Sequence, residues 1–269
     1  MIGLDVNGAG SMSRALQMEL LAPMKISLCT VTYNEAHRIS QFLDNAAPHV
    51  DEICIADQAS TDGTVDAIME WSYHHPDTPL AVVHDKHWGY CEPSRKKAHA
   101  LSTGNFILVL DADERISDEF ARVVRAVRSD HPSTRGKFGY RLKRSLWVGG
   151  FHYWTGDYQY RFFERNSVHY LDELHTEPQP TISEGQISAP EFVGIWHEKS
   201  WVEQIRDENA YSKLINSKDL RADAKLALNV YSGLLAGAGI TAEEADLLSY
   251  EELEELGIAP IYEAPEQEK

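Results

Sequence analysis

Residues Asn105–Glu114 read NFILVLDADE: five apolar residues in succession, then three acids within four positions. An apolar run without polar alternation fits a strand covered on both faces, as strands of parallel sheets are. Similar runs recur upstream. Lys25–Thr32 (KISLCTVT) and Asp51–Asp57 (DEICIAD) are apolar and β-branched, and Leu80–His84 is a shorter version. Between them the spacing turns helical. Ala36–Ala47 places Ile39, Phe42 and Leu43 on one face, Thr61–Tyr73 does so with Val65, Ile68, Met69 and Trp71, and Ser94–Leu101 is a basic helix. After the acids, Ser117 is a good N-cap for a helix to Ser129 that aligns Phe120, Val123, Val124 and Val127. This alternation, over about residues 25–130, predicts an α/β fold. A mostly parallel, Rossmann-like central sheet would carry right-handed crossovers and helices on both faces.

The pattern then changes. Gly136–Leu146, Tyr158–Arg165, Val168–Leu171 and Phe192–His197 read as aromatic-rich strands, with turns at Gly149-Gly150 and Gly185. Trp201–Asn216 and Lys218–Leu235 read as helices. The expected division is an extension over 1–24 with a short helical piece at Ser13–Leu21, a main domain over 25–215, a helix over 216–240, and an acidic helix with a frayed tail over 241–269.

The 269 residues are 43% hydrophobic and 25% charged, the balance of a globular chain rather than a fibrous or disordered one. Net charge is −17, but Thr241–Lys269 holds ten acids against Lys269 alone, so the remaining 240 residues carry only −8. Neither part offers the broad basic field that duplex nucleic acid requires. No apolar run approaches the ~20 residues of a membrane helix. The segment up to Met24 lacks the basic start, apolar stretch and cleavage site of a secretory signal. A cytoplasmic protein is expected, without a transmembrane segment and with at most peripheral membrane contact. Cys29, Cys54 and Cys91 lack metal-ligand spacing; Cys29 and Cys54 sit in apolar runs and read as reduced core thiols.

In an open parallel sheet, ligands bind beyond the carboxyl ends of the strands. Three strands end there in polar groups: Thr32-Tyr33-Asn34-Glu35, Asp57-Gln58-Ala59-Ser60-Thr61-Asp62-Gly63-Thr64, and Asp111-Ala112-Asp113-Glu114. One such ending is ordinary; three point to a site. Asp111 and Asp113, leaving a buried strand one residue apart, suit a hard cation such as Mg2+ or Mn2+ that completes its shell with phosphate oxygens and water. The plainer reading is that they cap the following turn. Asp62 and Thr64 read as caps of the second helix.

These three segments, in this order and spacing, resemble family 2 glycosyltransferases with the GT-A fold. Trp88-Gly89-Tyr90, Arg95-Lys96-Lys97-Ala98-His99-Ala100-Leu101 and Asp157-Tyr158-Gln159-Tyr160-Arg161-Phe162-Phe163 resemble the branch containing lipopolysaccharide-core β-glucosyltransferases. The similarity spans about residues 25–215. The chain departs from the pattern at Gln58-Ala59, where the family usually has a small residue and Gly, and at Lys97, where Arg is commoner. The resemblance implies an inverting transfer of a sugar, glucose or a related hexose, from a nucleotide-sugar donor, a UDP-sugar, with Mn2+ or Mg2+ as cofactor. Thr32, Asn34 and Glu35 would line the nucleotide pocket, and Asp57 would hydrogen-bond the base. Lys97 would face the diphosphate. Asp111, with Ala112 beside it, would reach the ribose or the metal, and Asp113 the metal.

Inversion needs a carboxylate to take the acceptor hydroxyl proton. Asp172 and Glu173 are favoured, with Asp157 and Glu177 as further candidates. His197, after the apolar run Phe192–Trp196, resembles the histidine that completes the metal shell in many such enzymes, with His175 as its rival. Trp147–Trp154 (WVGGFHYW) reads either as an aromatic flap that stacks on an acceptor sugar or as a hydrophobic seam. The acceptor itself is open among saccharide, lipid-linked saccharide and protein or peptide, with a modified nucleobase a further possibility. Two other readings compete: a nucleotidyltransferase, which would show a Gly-rich basic loop after the first strand, and a non-catalytic sugar-nucleotide or protein-binding module with the acidic tail as handle.

Overall fold

The computed structural model describes residues 24–130, 134–149, 151–173, 176–206, 209 and 230–258. Expectations for the extension before Met24, for most of the helices after residue 206, for His175 and for the tail beyond residue 258 lie outside the described residues.

β1 (Ile26–Thr32), β2 (Glu52–Asp57), β3 (Leu80–His84) and β4 (Phe106–Val109) form close to where the apolar runs put them. They pair in parallel in the order β3-β2-β1-β4, with Thr32 beside Asp57 and Asp57 beside His84, so their carboxyl ends share one edge. The uninterrupted hydrophobicity has a direct cause. Phe106, Leu108 and Leu110 enter one core cluster with Ile26, Leu28, Ile53 and Ile55, while Ile107 and Val109 enter a second with Cys29, Cys54 and Ala56. Period-two alternation thus feeds two cores, and each fully buried large side chain contributes about 1.5–3 kcal/mol.

Four helices follow α1 (Ile39–Ala46), α2 (Thr64–His74), α3 (Glu92–Leu101) and α4 (Asp118–Arg128) in chain order. The first two and the last pack on the first cluster through Phe42, Ile68 and Phe120, among others, and α3 covers the second through Ala98. Ser117 caps α4, its Oγ accepting from Phe120 N at 3.1 Å. The α/β fold with helices on both faces is as expected.

The later strands are β5 (Glu114–Ile116), β6 (Gly139–Val148), β7 (Phe151–Glu164), β8 (Val168–His169), β9 (Gln179–Pro180), β10 (Ile187–Ser188) and β11 (Val193–Lys199). The main sheet continues from β4 through β7, β6 and β11 to β5, with β10 beside β6; β8 and β9 pair separately. β7 runs antiparallel to both β4 and β6, β11 runs parallel to β6, and β5 closes antiparallel on β11. β7 begins at Phe151, upstream of the expected Tyr158. Trp147–Trp154 is therefore the end of a β-hairpin, with Val148 opposite Phe151 and Trp147 opposite His152. Gly149 has φ +56, and a Cβ there would run into the Trp201 ring. Trp201 opens a helical segment over 201–206 and is fully buried. It anchors a third cluster with Val148 and with Leu235, Ala245 and Leu253 from the helices α5 (Val230–Ala238), α6 (Ala242–Ala245) and α7 (Tyr250–Glu255). Among the described residues, no helix is long and apolar enough to cross a membrane.

Candidate active site

The carboxyl ends of β1 and β2 are stitched to each other before any ligand is considered. Asp57 is 1% exposed and accepts from Thr32 Oγ1 at 3.0 Å, Ser60 Oγ at 2.6 Å and Ser60 N at 3.0 Å. Asn34 sits in the left-handed region at φ +58, which asparagine tolerates. Its backbone N–H donates to Ser60 Oγ at 2.9 Å, and its Oδ1 accepts from Thr61 N at 2.8 Å. Glu35 N donates to Thr64 Oγ1 at 2.7 Å, and Asp62 accepts from Thr64 and from Ala36 N, so the two caps also tie the loops together. Thr32, Asn34, Glu35 and Asp57 thus stand at one edge, and hydrogen bonds within the protein hold them in place.

The two departures from the family pattern have physical counterparts. Ala59 adopts φ +57, a left-handed conformation that glycine takes without penalty. The Gln58 amide donates to Tyr90 O and to Ser94 Oγ, both at 2.9 Å, pinning the segment before α3 to β2. Next to them lies Asp85, immediately after β3, which the sequence reading did not single out. It accepts from Lys97 Nζ at 2.7 Å, Ser94 Oγ at 2.8 Å, Lys86 N at 2.8 Å and Trp88 Nε1 at 3.1 Å. Burial pushes its carboxyl up, but Lys97 and the other donors outweigh that and pull it down to about 2. Lys97 therefore faces an acid, and a different cation of α3 faces Asp111.

That cation is Arg95, at 2.9 and 3.1 Å from the two Asp111 oxygens; Arg161 of β7 adds a third contact at 3.1 Å. Arg161 also donates to the fully buried Glu114 at 3.1 Å, whose other oxygen accepts from Asp111 N at 3.0 Å. Arg144 of β6 lies 3.7 Å from Glu114 and 3.3 Å from His197 Nδ1. His197 Nε2 lies 2.8 Å from Asp113 Oδ2, and Lys199 Nζ 3.4 Å from the same oxygen. Opposite charges alternate from α3 to the end of β11, as buried charges require. Burial raises the Asp111 and Asp113 carboxyls, but Arg95 and Arg161 for the first, His197 and Lys199 for the second, hold both well below the ordinary carboxylate range. Both are ionised at neutral pH. Ala112 between them is buried, its carbonyl accepting from Arg115 at 3.1 Å.

The set Asp111, Asp113 and His197 is not assembled around one point: among the described residues, no group of three or more His, Cys, Asp or Glu side chains is placed to hold a metal ion. Asp111 is engaged by two guanidiniums on one side of the turn, while Asp113 and His197 meet on the other. This second pair offers one hard oxygen and one imidazole nitrogen, a donor set that fits Mn2+ or Mg2+ with its remaining positions filled by ligand oxygens and water. Asp113 also lines a cavity of about 690 Å³, bordered by Arg38 from the start of α1, Arg115, Trp147, Lys199 and Arg206.

The candidate bases lie elsewhere. Asp172 is exposed, 2.5 Å from Lys96 Nζ, with its carbonyl accepting from Tyr90 Oη at 3.3 Å. Glu173 is exposed beside it, and Glu177 accepts from Tyr160 N at 2.6 Å. Asp157 belongs to β7, and its side chain lies outside the described residues. Sequence reading gave no individual role to Asp85, Arg95, Glu114, Arg144, Arg161 or Lys199. The signal for Arg144 and Arg161 was a charge inside an expected strand, which a charge-counting pass leaves to solvent.

A family model described as Glycosyl transferase family 2 matches residues 27–164. An uncharacterized glycosyltransferase of Rickettsia felis is 33% identical over 119 residues, 44% of this chain and 39% of that protein. One of Rickettsia prowazekii is 28% identical over 126 residues, 47% of this chain and 40% of that protein. The matched stretch thus spans about two fifths of these relatives. Among solved structures, Staphylococcus aureus TarS residues 1–349 in complex with UDP is similar with a TM-score of 0.49 and 19% identity, over 75% of this chain and 68% of that one. The mannosyltransferase PcManGT from Pyrobaculum calidifontis, in complex with GDP-Man and Mn2+, is similar with a TM-score of 0.46 and 19% identity, over 88% of this chain and 86% of that one.

Proposed function

The chain belongs to glycosyl transferase family 2, and from that premise we propose that it is an inverting glycosyltransferase. In this reading it moves a hexose, glucose or a relative, from a UDP-sugar to an acceptor hydroxyl. The observation that carries the reading is the meeting of Asp113 and His197, 84 positions apart in the chain, with Asp113 on the wall of a cavity at the carboxyl edge of a parallel sheet.

In the proposed mechanism the nucleotide lies along the edge formed by Thr32, Asn34, Glu35 and Asp57. Arg95 Nε and Arg161 Nη1 are buried with no hydrogen-bond partner among the described residues. Arg95, which pairs with Asp111 at the end of the strand, would hold the diphosphate from the Asp111 side, a role the sequence reading gave to Lys97. Asp113 and His197 would hold Mn2+ or Mg2+, which when bound neutralises charge on the departing diphosphate. The base stays on the exposed Asp172–Glu173 pair. A saccharide, free, lipid-linked or on a protein, remains the acceptor class, and the reading places the enzyme in the cytoplasm.

The test is release of UDP from UDP-glucose and other UDP-hexoses with and without Mn2+. The reading expects metal-dependent release that Asp113→Ala abolishes while the far-ultraviolet circular dichroism is unchanged. Full activity in that variant, or release of pyrophosphate from a nucleoside triphosphate instead, would overturn it. Binding without any turnover would favour a non-catalytic module.

A further inference from the structure

Among the described residues, the wall of the cavity beside Asp113 includes none of Thr32, Asn34, Asp57, Asp85, Lys97 or Asp111. It meets the proposed donor site at Asp113 and through the pairing of Arg38 with Glu35. Its charge is also out of keeping with a chain of net −17. Arg38, Arg115, Lys199 and Arg206 line it against the acids Asp113, Glu198 and Glu203. Most of these charges are committed to one another: Arg38 pairs with Glu35 and Glu203, and Lys199 with Asp113.

Arg115 is different. Its Nη1 donates to the backbone carbonyls of Ala112 at 3.1 Å and Glu114 at 2.9 Å, and no carboxylate among the described residues lies within ion-pair distance of it. Two carbonyls fix the guanidinium in place without neutralising it. A half-buried cation held by backbone and facing a water-filled space is stabilised by an anion that arrives from outside. Trp147 on the same wall adds an aromatic face of the kind that packs against a sugar ring.

We propose that this cavity is the acceptor subsite, and that Arg115 makes the enzyme select an acceptor sugar carrying a phosphate or carboxylate group. The proposal rests on the glycosyltransferase reading and narrows its acceptor from any saccharide to an anionic one. Arg115 is the specificity-determining contact. Arg206 and Lys199 stand on the same wall, and Asp113 divides this space from the donor.

Inorganic phosphate is the probe, titrated into the full chain and followed by 31P line broadening, with and without saturating UDP and Mg2+. The expected result is phosphate binding that persists when UDP is bound. Arg115→Gln should weaken it at least about tenfold and leave UDP binding unchanged, because a charge-assisted hydrogen bond is lost. Arg115→Lys should recover part of the affinity. Arg206→Gln, at an exposed position on the same wall, should weaken phosphate several-fold and serves if Arg115→Gln fails to fold. Phosphate that UDP displaces would assign the cavity to the donor diphosphate and overturn the proposal. Phosphate binding that neither variant weakens would overturn it as well. If UDP binds and phosphate does not, this inference fails alone; if UDP with metal does not bind at all, the glycosyltransferase reading fails with it.

Discussion

His197 Nε2 lies 2.8 Å from Asp113 Oδ2, although one residue belongs to β11 and the other to the turn after β4. The contact depends on β5, which follows Asp113 directly and pairs with β11 so that Glu114 stands opposite His197. His197→Gln keeps a polar group at this place but removes the imidazole. UDP release should fall at least about tenfold, with the Mn2+ concentration for half-maximal rate raised, since loss of one ligand or its support typically costs 10–100-fold. Initial rates across a Mn2+ titration check this, and an unchanged metal dependence would remove His197 from the site.

Glu114 is fully buried between Arg161 and Arg144. Replacing it with Gln leaves Arg161 with less compensation in the interior. The expected loss is about 3–5 kcal/mol of stability, measured by urea unfolding. Adding Arg161→Met to Glu114→Gln should cost much less than the two single losses together, because the second change removes the charge that the first stranded.

Asp85 gives the clearest pH dependence. Its folded carboxyl, pulled down to about 2 from an ordinary 3.8, contributes stability that is fully present above about pH 4 and is lost as pH falls toward 2. The stability difference between wild type and Asp85→Asn should therefore be largest at neutral pH and shrink steadily between pH 4 and pH 2. Lys97→Met should shrink the same window by letting the Asp85 carboxyl rise. Urea unfolding at several pH values reads both, and a difference that grows on acidification would contradict the sign.

Ala59 holds a left-handed conformation at φ +57. Ala59→Gly should stabilise the protein by about 1 kcal/mol, the strain relieved less the added freedom of the unfolded chain. Thermal denaturation is sufficient to detect it.

Gly149 presents the opposite case. With φ +56 and the Trp201 indole where a Cβ would go, Gly149→Ala should destabilise by about 2 kcal/mol or more. The loss should appear first in the Trp201 cluster, read by tryptophan fluorescence ahead of the far-ultraviolet signal.

The sequence by itself determined the parallel half of this protein. β1 to β4 and the helices between them follow from local periodicity, because a strand feeding two cores must be apolar throughout and a helix feeding one must be apolar every third or fourth residue. The polar strand ends were legible for the same reason, since a parallel sheet exposes its carboxyl edge to ligands. Strands at β6 and over the second half of β7 were legible too, with the turn at Gly149-Gly150, but the joining of β7 to β4 and of β11 to β6, and the three residues of β5, were not, because those pairing partners are distant in sequence. The site divided along the same line. Arg95 and Lys97 look equivalent in a basic helix, but two residues on a helix lie about 200° apart, so one meets Asp111 and the other Asp85. Asp111 and Asp113 read as a pair, yet each turned to its own cations. Residue type and spacing established which groups were available; which of them share an environment was decided by long-range strand pairing, which alone sets the distances on which charge interactions depend.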